Sequence, residues 1–312
     1  MEKIIFGPVP SRRLGRSVGI NNIPPKICSY SCVYCQIGRT LRMTVQRQSF
    51  YEPERIAREV EEKVRKLRAL GENVDYLTFV PDGEPTLDSA LGNTIRLLKS
   101  LQIKIAIITN ASLLSNSKVR NDLAPADWVS EKIDSLNPET WKKINRPHGQ
   151  LNLKAISDGI LEFARTFKGT LVTETMLVRG VNDSPREIEE ISTFIADLAP
   201  EMSYLAVPTR PPAESWVRPP EASQLNQAYQ IFSQKSLAVE LLIGYEGSSF
   251  VSTGRPEDDL LSITSVHPMR QEAVYKLLRM AGAGWEVVES LLNSGKLVET
   301  EYQGKKFYLR RF

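Results

Sequence analysis

Cysteine and histidine are scarce in this chain of 312 residues: three cysteines, and two histidines at His148 and His267. The cysteines all fall within eight positions, at Cys28, Cys32 and Cys35. An odd, tightly clustered set excludes a disulfide framework and points to a metal site in a reducing compartment. Long apolar runs are missing too. None exceeds four residues, as at 105–108, which excludes a membrane-spanning helix. The opening Met1-Glu-Lys-Ile-Ile-Phe-Gly-Pro lacks the apolar core of a secretory signal, so we expect a soluble, cytoplasmic protein with no membrane partner. Hydrophobic residues at 41% and charged residues at 25% exclude wholesale disorder.

Acids are nearly absent from the first fifty residues. Glu2 stands alone against Lys3, Arg12, Arg13, Arg16, Lys26, Arg39, Arg42 and Arg47, a local charge of +7. Residues 265–312 carry +3, so within a total of +3 the middle of the chain holds −7. A basic segment facing an acidic body has two readings. Arg12, Arg13 and Arg16 hold the phosphate or carboxylate of an anionic substrate, or they pair with the body's own carboxylates.

At about 150 residues per domain the length suggests roughly two domains. Between residues 50 and 245, apolar runs at strand spacing alternate with amphipathic helical stretches. Strands are expected at 74–80, 103–109, 128–133, 170–178, 203–207 and 239–243, with an early one at 17–20. Helices are expected at 54–70, 88–101, 152–167, 184–198 and 221–234. Six β/α units before a last strand imply an α/β fold with a parallel sheet, doubly wound or a barrel. The proline-rich stretch 208–220 leaves a strand at its C-terminal end, where such sheets bind ligands. After Gly254 the composition changes. Helices at 270–281 and 285–293 and a hairpin at 296–310, turning at Gln303-Gly304, suggest a small winged-helix-like module. We therefore expect one domain over 1–254 and a second over 255–312. The module either contacts nucleic acid through Lys305, Lys306, Arg310 and Arg311 or serves as a docking or lid element.

Cys28-Ser-Tyr-Ser-Cys32-Val-Tyr-Cys35 is a C-x3-C-x2-C spacing. Three thiolates can hold three corners of a cubane cluster and leave the fourth iron open to a small chelating molecule. Structural zinc wants four closed ligands, and the two histidines lie more than 100 residues further along the chain. With Tyr34 just before the third cysteine, the motif resembles that of the radical S-adenosylmethionine (SAM) superfamily. The likeness spans residues 17–208 and implies a partial (β/α)6 TIM-like barrel. It also implies a [4Fe–4S] cluster on Cys28, Cys32 and Cys35, with SAM bound at the open iron. An electron donor such as flavodoxin or ferredoxin would supply one electron, releasing a 5′-deoxyadenosyl radical in an oxidoreductase-type reaction. Tyr34 would pack near the adenine.

Pro81-Asp82-Gly83-Glu84-Pro85 stands where that family carries its Gly-Gly-Glu motif, which receives the methionyl ammonium. Gly83 permits close backbone approach, and Glu84 offers a charge-assisted acceptor. Asp82 takes the place of the first glycine. Asn110 and Lys132, at later strand ends, are candidates for the SAM carboxylate and ribose. Lys132 also reads as a catalytic acid, base or Schiff-base partner, or as a charge partner of Asp134 or Glu131.

The opening Gly-Pro-Val-Pro-Ser-Arg-Arg-Leu-Gly-Arg is similar to a narrower radical SAM subgroup, distantly like the enzyme that builds the wyosine base on tRNA. Three expectations follow. The leading one is a radical SAM enzyme abstracting hydrogen from an anionic substrate, with tRNA ahead of a free metabolite. The second is the same chemistry on a small phosphorylated or carboxylated metabolite. The third, from another class, is a non-enzymatic metal sensor whose winged helix binds DNA. No cysteine is left over to carry a radical or a methyl group.

Overall fold

The computed structural model describes residues 4–243, 254–264 and 267–311. It opens on a hairpin, β1 (Ile5–Ser11) against β2 (Gly15–Ile20), followed by a two-residue ladder of β3 (Ile27–Cys28) and β4 (Arg42–Met43) that brackets the cysteine loop. The expected alternation follows: α1 (Pro53–Ala69), β5 (Tyr76–Phe79), α2 (Leu91–Leu98), β6 (Lys104–Thr109), α3 (Ser117–Leu123) and β7 (Trp128–Lys132). It continues through α4 (Pro138–Asn145), α5 (Leu153–Thr166), β8 (Thr170–Met176), α6 (Pro185–Leu198), β9 (Met202–Ala206), α7 (Ala222–Gln234) and β10 (Val239–Leu242).

The main sheet runs β1-β2-β5-β6-β7-β8-β9-β10. Its last seven strands are parallel, and β1 lies antiparallel on one edge. With β1 and β10 at opposite edges the sheet stays open, so this is a partial barrel. The six β/α units and the closing strand stand as the sequence implied. β1, α3 and α4 are additions. The two helices, of seven and eight residues, are too short for a periodic signal, and β1 is masked by its prolines.

Side-chain alternation sorts the two faces. Outward positions such as Leu77, Phe79, Ile105, Ile107 and Val129 form the main core with the helices. Ile56, Val60, Val64 and Leu67 of α1 lie on one stripe and are fully buried there. Each contributes about 1.5–3 kcal/mol. Inward positions near the strand starts, including Leu14, Ala106, Trp128, Val172 and Tyr204, plug the barrel. Towards the strand ends the inward positions turn polar, and the site begins.

Beyond the barrel come α8 (Pro256–Thr264), β11 (Met269–Arg270), α9 (Gln271–Met280), α10 (Glu286–Asn293), β12 (Leu297–Tyr302) and β13 (Lys305–Arg310). The three strands form an antiparallel sheet in the order β11-β13-β12. They close a separate core around Leu260, Val274, Leu277, Val288 and Tyr308, against which Val9 of β1 packs. The hairpin turns where expected: Gln303 (φ 51°) and Gly304 (φ 68°) take the two positive dihedrals of a type I′ turn. Among the described residues no helix is long and apolar enough to cross a membrane.

Candidate active site

The cysteine loop is irregular, and its backbone groups need partners from elsewhere. They come from three directions. The segment after β5 docks on its start: Lys26 N donates to Asp82 O (2.7 Å) and Glu84 N to Ile27 O (3.2 Å). The segment ending α4 holds its middle, with Ser31 N donating to Asn145 O (3.0 Å) and Val33 N to Ile144 O (2.9 Å). The proline-rich loop closes the far side through Glu214 N to Val33 O (3.0 Å). Glu214 also takes Arg39 (2.9 Å) and Arg146 (2.5 Å), and those guanidiniums hold its carboxyl below the usual range. All three thiols are half-buried. Asn110 Nδ2 lies 3.5 Å from Cys28 Sγ, and Asn145 Nδ2 lies 3.5 Å from Cys32 Sγ.

The close docking of residues 82–84 explains Gly83. A Cβ there would stand 1.9 Å from Ile27 O and 2.8 Å from Ile23 Cδ1. Glu84 is 1% exposed. Its Oε1 accepts from Thr86 N (3.0 Å), Thr86 Oγ1 (2.6 Å) and Thr109 Oγ1 (2.6 Å), while among the described residues Oε2 accepts only from Asn110 N (2.8 Å). Burial still raises its carboxyl above the usual value. A carboxylate has about four acceptor sites, so the free capacity is on Oε2.

Lys132 and Glu174 are register partners on β7 and β8. Lys132 Nζ donates to Glu174 Oε1 at 2.6 Å, and Arg13 Nη1 donates to Oε2 at 2.5 Å. Burial works against both ionised partners, yet Lys132 and Arg13 hold the Glu174 carboxyl down to about 2, and Glu174 with Asp134 raises Lys132. Lys132 is therefore a fixed ammonium; of the expected partners Asp134 does favour its charge, but its ion pair is with Glu174 and not with Glu131. Its ammonium sits 5.1 Å from the Tyr34 ring centroid. Tyr34 donates its hydroxyl to Asp134, which also accepts from Asn145 Nδ2 (2.7 Å) and Met176 N (2.9 Å).

Cys28, Cys32, Cys35, Tyr34, Gly83, Glu84, Asn110, Lys132 and Arg13 all line one cavity of about 330 Å³. Three expected residues do not. Asp82 turns away to Lys26, 3.7 Å from its ammonium, and burial raises its carboxyl to about 6. Arg12 reaches Glu240 (4.0 Å) and Leu241 O (3.2 Å), and Arg16 pairs with Glu72. The three arginines thus pair with the body's carboxylates, and only Arg13 reaches the cavity. Sequence reasoning missed Glu174, Arg210 and His267 on its wall. Arg210 donates to Gln36 Oε1 (2.8 Å) and lies 3.1 Å from His267 Nε2. Burial, then Arg210, lowers the His267 pKa, leaving a neutral imidazole. Tyr302 donates to Pro208 O (3.1 Å), so the C-terminal unit rests on the loop that carries Arg210.

The donor set fits a [4Fe–4S] cluster. Three sulfurs sit on one pinned loop, and the chain has no fourth cysteine. Among the described residues no three His, Cys, Asp or Glu side chains converge on a single ion. In a cubane each thiolate binds its own iron and the sulfurs stand further apart. Burial pushes all three thiols up, Cys32 to about 12, so forming the thiolates would take a metal's positive charge.

Comparison with known proteins agrees. Residues 22–194 match the model of the radical SAM superfamily. A UPF0026 protein of Methanocaldococcus jannaschii is 45% identical over 98% of this chain and 96% of its own length. The fold resembles a radical SAM methyltransferase from Sphaerobacter thermophilus, with TM-score 0.58 and 14% identity over 73% of this chain and 66% of that one. It also resembles Streptococcus suis SuiB bound to S-adenosylmethionine, with TM-score 0.53 and 15% identity over 72% of this chain and 49% of that one.

Proposed function

The chain belongs to the radical SAM superfamily and, within it, to the UPF0026 proteins, and from that premise we propose that it abstracts hydrogen from a small anionic substrate held between the barrel and its C-terminal unit. Membership sets aside the metal-sensing DNA regulator. When bound, a [4Fe–4S] cluster and SAM supply a reductively released 5′-deoxyadenosyl radical. The chain's own residues do the rest. Cys28, Cys32 and Cys35 hold three irons. Glu84, locked by Thr86, Thr109 and Asn110, presents Oε2 to the methionyl ammonium. Asn110 and the Lys132 ammonium flank the carboxylate and ribose. Tyr34, oriented through Asp134 and Asn145, supports the adenine. Lys132 holds its proton, so its role is electrostatic.

The observation that carries this reading is the convergence of the three thiols, Glu84 and the Lys132–Glu174–Arg13 chain on one cavity that Arg210 and His267 also line. Anaerobic reconstitution gives about four irons and four sulfides per chain, with SAM perturbing the EPR spectrum of the reduced cluster and 5′-deoxyadenosine forming. A single tetrahedral zinc in anaerobically purified protein overturns it.

We read the C-terminal unit, residues 255–312, as winged-helix-like from its helix-strand-helix-helix-hairpin order. The RNA reading rests on its hairpin. There Lys306 is bridged to Glu299 (2.8 Å) and stands opposite Glu301, so the basic edge is partly cancelled. This favours the small anion. If RNA is the substrate, tRNA binding weakens steeply between low and moderate salt. Replacing Lys305, Lys306, Arg310 and Arg311 together by Ser then flattens that slope and leaves SAM cleavage intact. For a metabolite enzyme we expect no such slope in the wild type.

A further inference from the structure

An electron must reach the cluster from outside, and the cavity side is filled by Glu84, Lys132 and the substrate space. The opposite side is a thin, exposed ladder. Arg42 and Met43 of β4 pair in register with Ile27 and Cys28, and Thr44 N donates to Cys28 O at 3.1 Å. One cluster ligand is thus one hydrogen-bonded strand from the surface. That strand exposes apolar side chains: Leu41 is 79% and Met43 is 38% exposed. Arg42 between them is exposed, and the Arg39 side chain is 69% exposed although bridged to Glu214. No acid occurs from Lys3 to Tyr51. Neighbouring exposed apolar side chains beside exposed guanidinium groups mark an interaction surface.

Resting on the function proposed above, we propose that the face formed by Arg39, Leu41, Arg42 and Met43 docks a small acidic one-electron carrier protein. Carboxylates around the carrier's redox group meet the arginines, and an apolar rim covers Leu41 and Met43. The carrier is oxidised by one electron per event and the cluster is reduced by one.

The test uses the cluster-loaded protein and a purified flavodoxin as probe. Titration calorimetry reads association, and 5′-deoxyadenosine formation is driven either by reduced flavodoxin or by dithionite. In the wild type, flavodoxin binding weakens with rising salt. Arg42→Glu combined with Leu41→Asp weakens that binding by about tenfold or more and slows the flavodoxin-driven rate in step. The dithionite-driven rate stays at the wild-type level. If dithionite turnover also falls, Arg42→Glu alone decides on the same two readouts. Unchanged flavodoxin binding in the variants, or salt-independent binding in the wild type, overturns the proposal. So does tRNA binding that is lost in the variants while flavodoxin binding is retained. A wild type that makes no 5′-deoxyadenosine with dithionite refutes the function instead, and the calorimetry still decides the docking.

Discussion

Replacing Gly83 with alanine leaves a folded barrel that no longer holds its cluster. The new methyl would stand 1.9 Å from Ile27 O and 3.0 Å from Ile27 C, both backbone atoms that cannot rotate aside. Relief requires residues 82–84 to withdraw from 26–28, which breaks the hydrogen bonds Lys26 N to Asp82 O and Glu84 N to Ile27 O. That one displacement moves Cys28, the first sulfur donor, and Glu84, whose Oε2 is aimed at SAM. Overpacking of this kind costs about 1–3 kcal/mol. The parallel sheet lies outside the collision, so the far-UV circular dichroism spectrum is preserved. Iron after anaerobic reconstitution falls from about four per chain to well below one, and 5′-deoxyadenosine formation is lost. Gly149→Ala is the matched control, since nothing lies within 4 Å of a Cβ there, and it retains full iron. A Gly83→Ala protein that binds iron normally refutes the account of how the loop is aligned.

The barrel was legible because its signals are local. Ile56, Val60, Val64 and Leu67 repeat at helical spacing, and the run 104–109 is apolar enough to read as a strand by itself. The thiols were legible for the same reason, all lying within eight residues. What escaped is long-range. Glu174 is 42 residues from Lys132, and their meeting follows only from the register of β7 on β8. Arg210 and His267 meet because the C-terminal unit rests on the loop after β9, which no periodicity announces. Charge was the least transferable signal. A +7 segment suggests an anion-binding surface, but Arg12, Arg13, Arg16, Arg39 and Arg47 each find a carboxylate of the acidic body. Arg42, on the ladder beside Cys28, is exposed instead, which puts an accessible charge of the segment beside the cysteine loop.

Glu131→Gln raises stability, and by more as pH rises. Lys132 and Glu131 are adjacent on β7, so strand alternation sends them to opposite faces. Lys132 enters the cavity, while Glu131 points among the helices and is 0% exposed. Its register neighbours are Thr109 and Thr173, but their hydroxyls are already committed, to Glu84 (2.6 Å) and to Ser203 (3.1 Å). Neither carboxyl oxygen has a hydrogen-bond partner among the described residues. Burial alone pushes this carboxyl from 4.5 to about 8. Below pH 4.5 it is protonated whether the chain is folded or not, and it costs nothing in linkage. Between pH 4.5 and 8 the unfolded chain has lost the proton and the native one keeps it. Stability therefore falls by about 1.4 kcal/mol per pH unit, and above pH 8 the penalty is constant. Glutamine removes the titration but leaves a buried amide, whose own unmet hydrogen bonds offset part of the gain. The difference between variant and wild type should be smallest near pH 4.5 and grow to at most about 5 kcal/mol at pH 8, read from urea denaturation midpoints at each pH. Parallel pH profiles for the two proteins would show that the carboxyl titrates normally and is not held in the apolar layer behind the site.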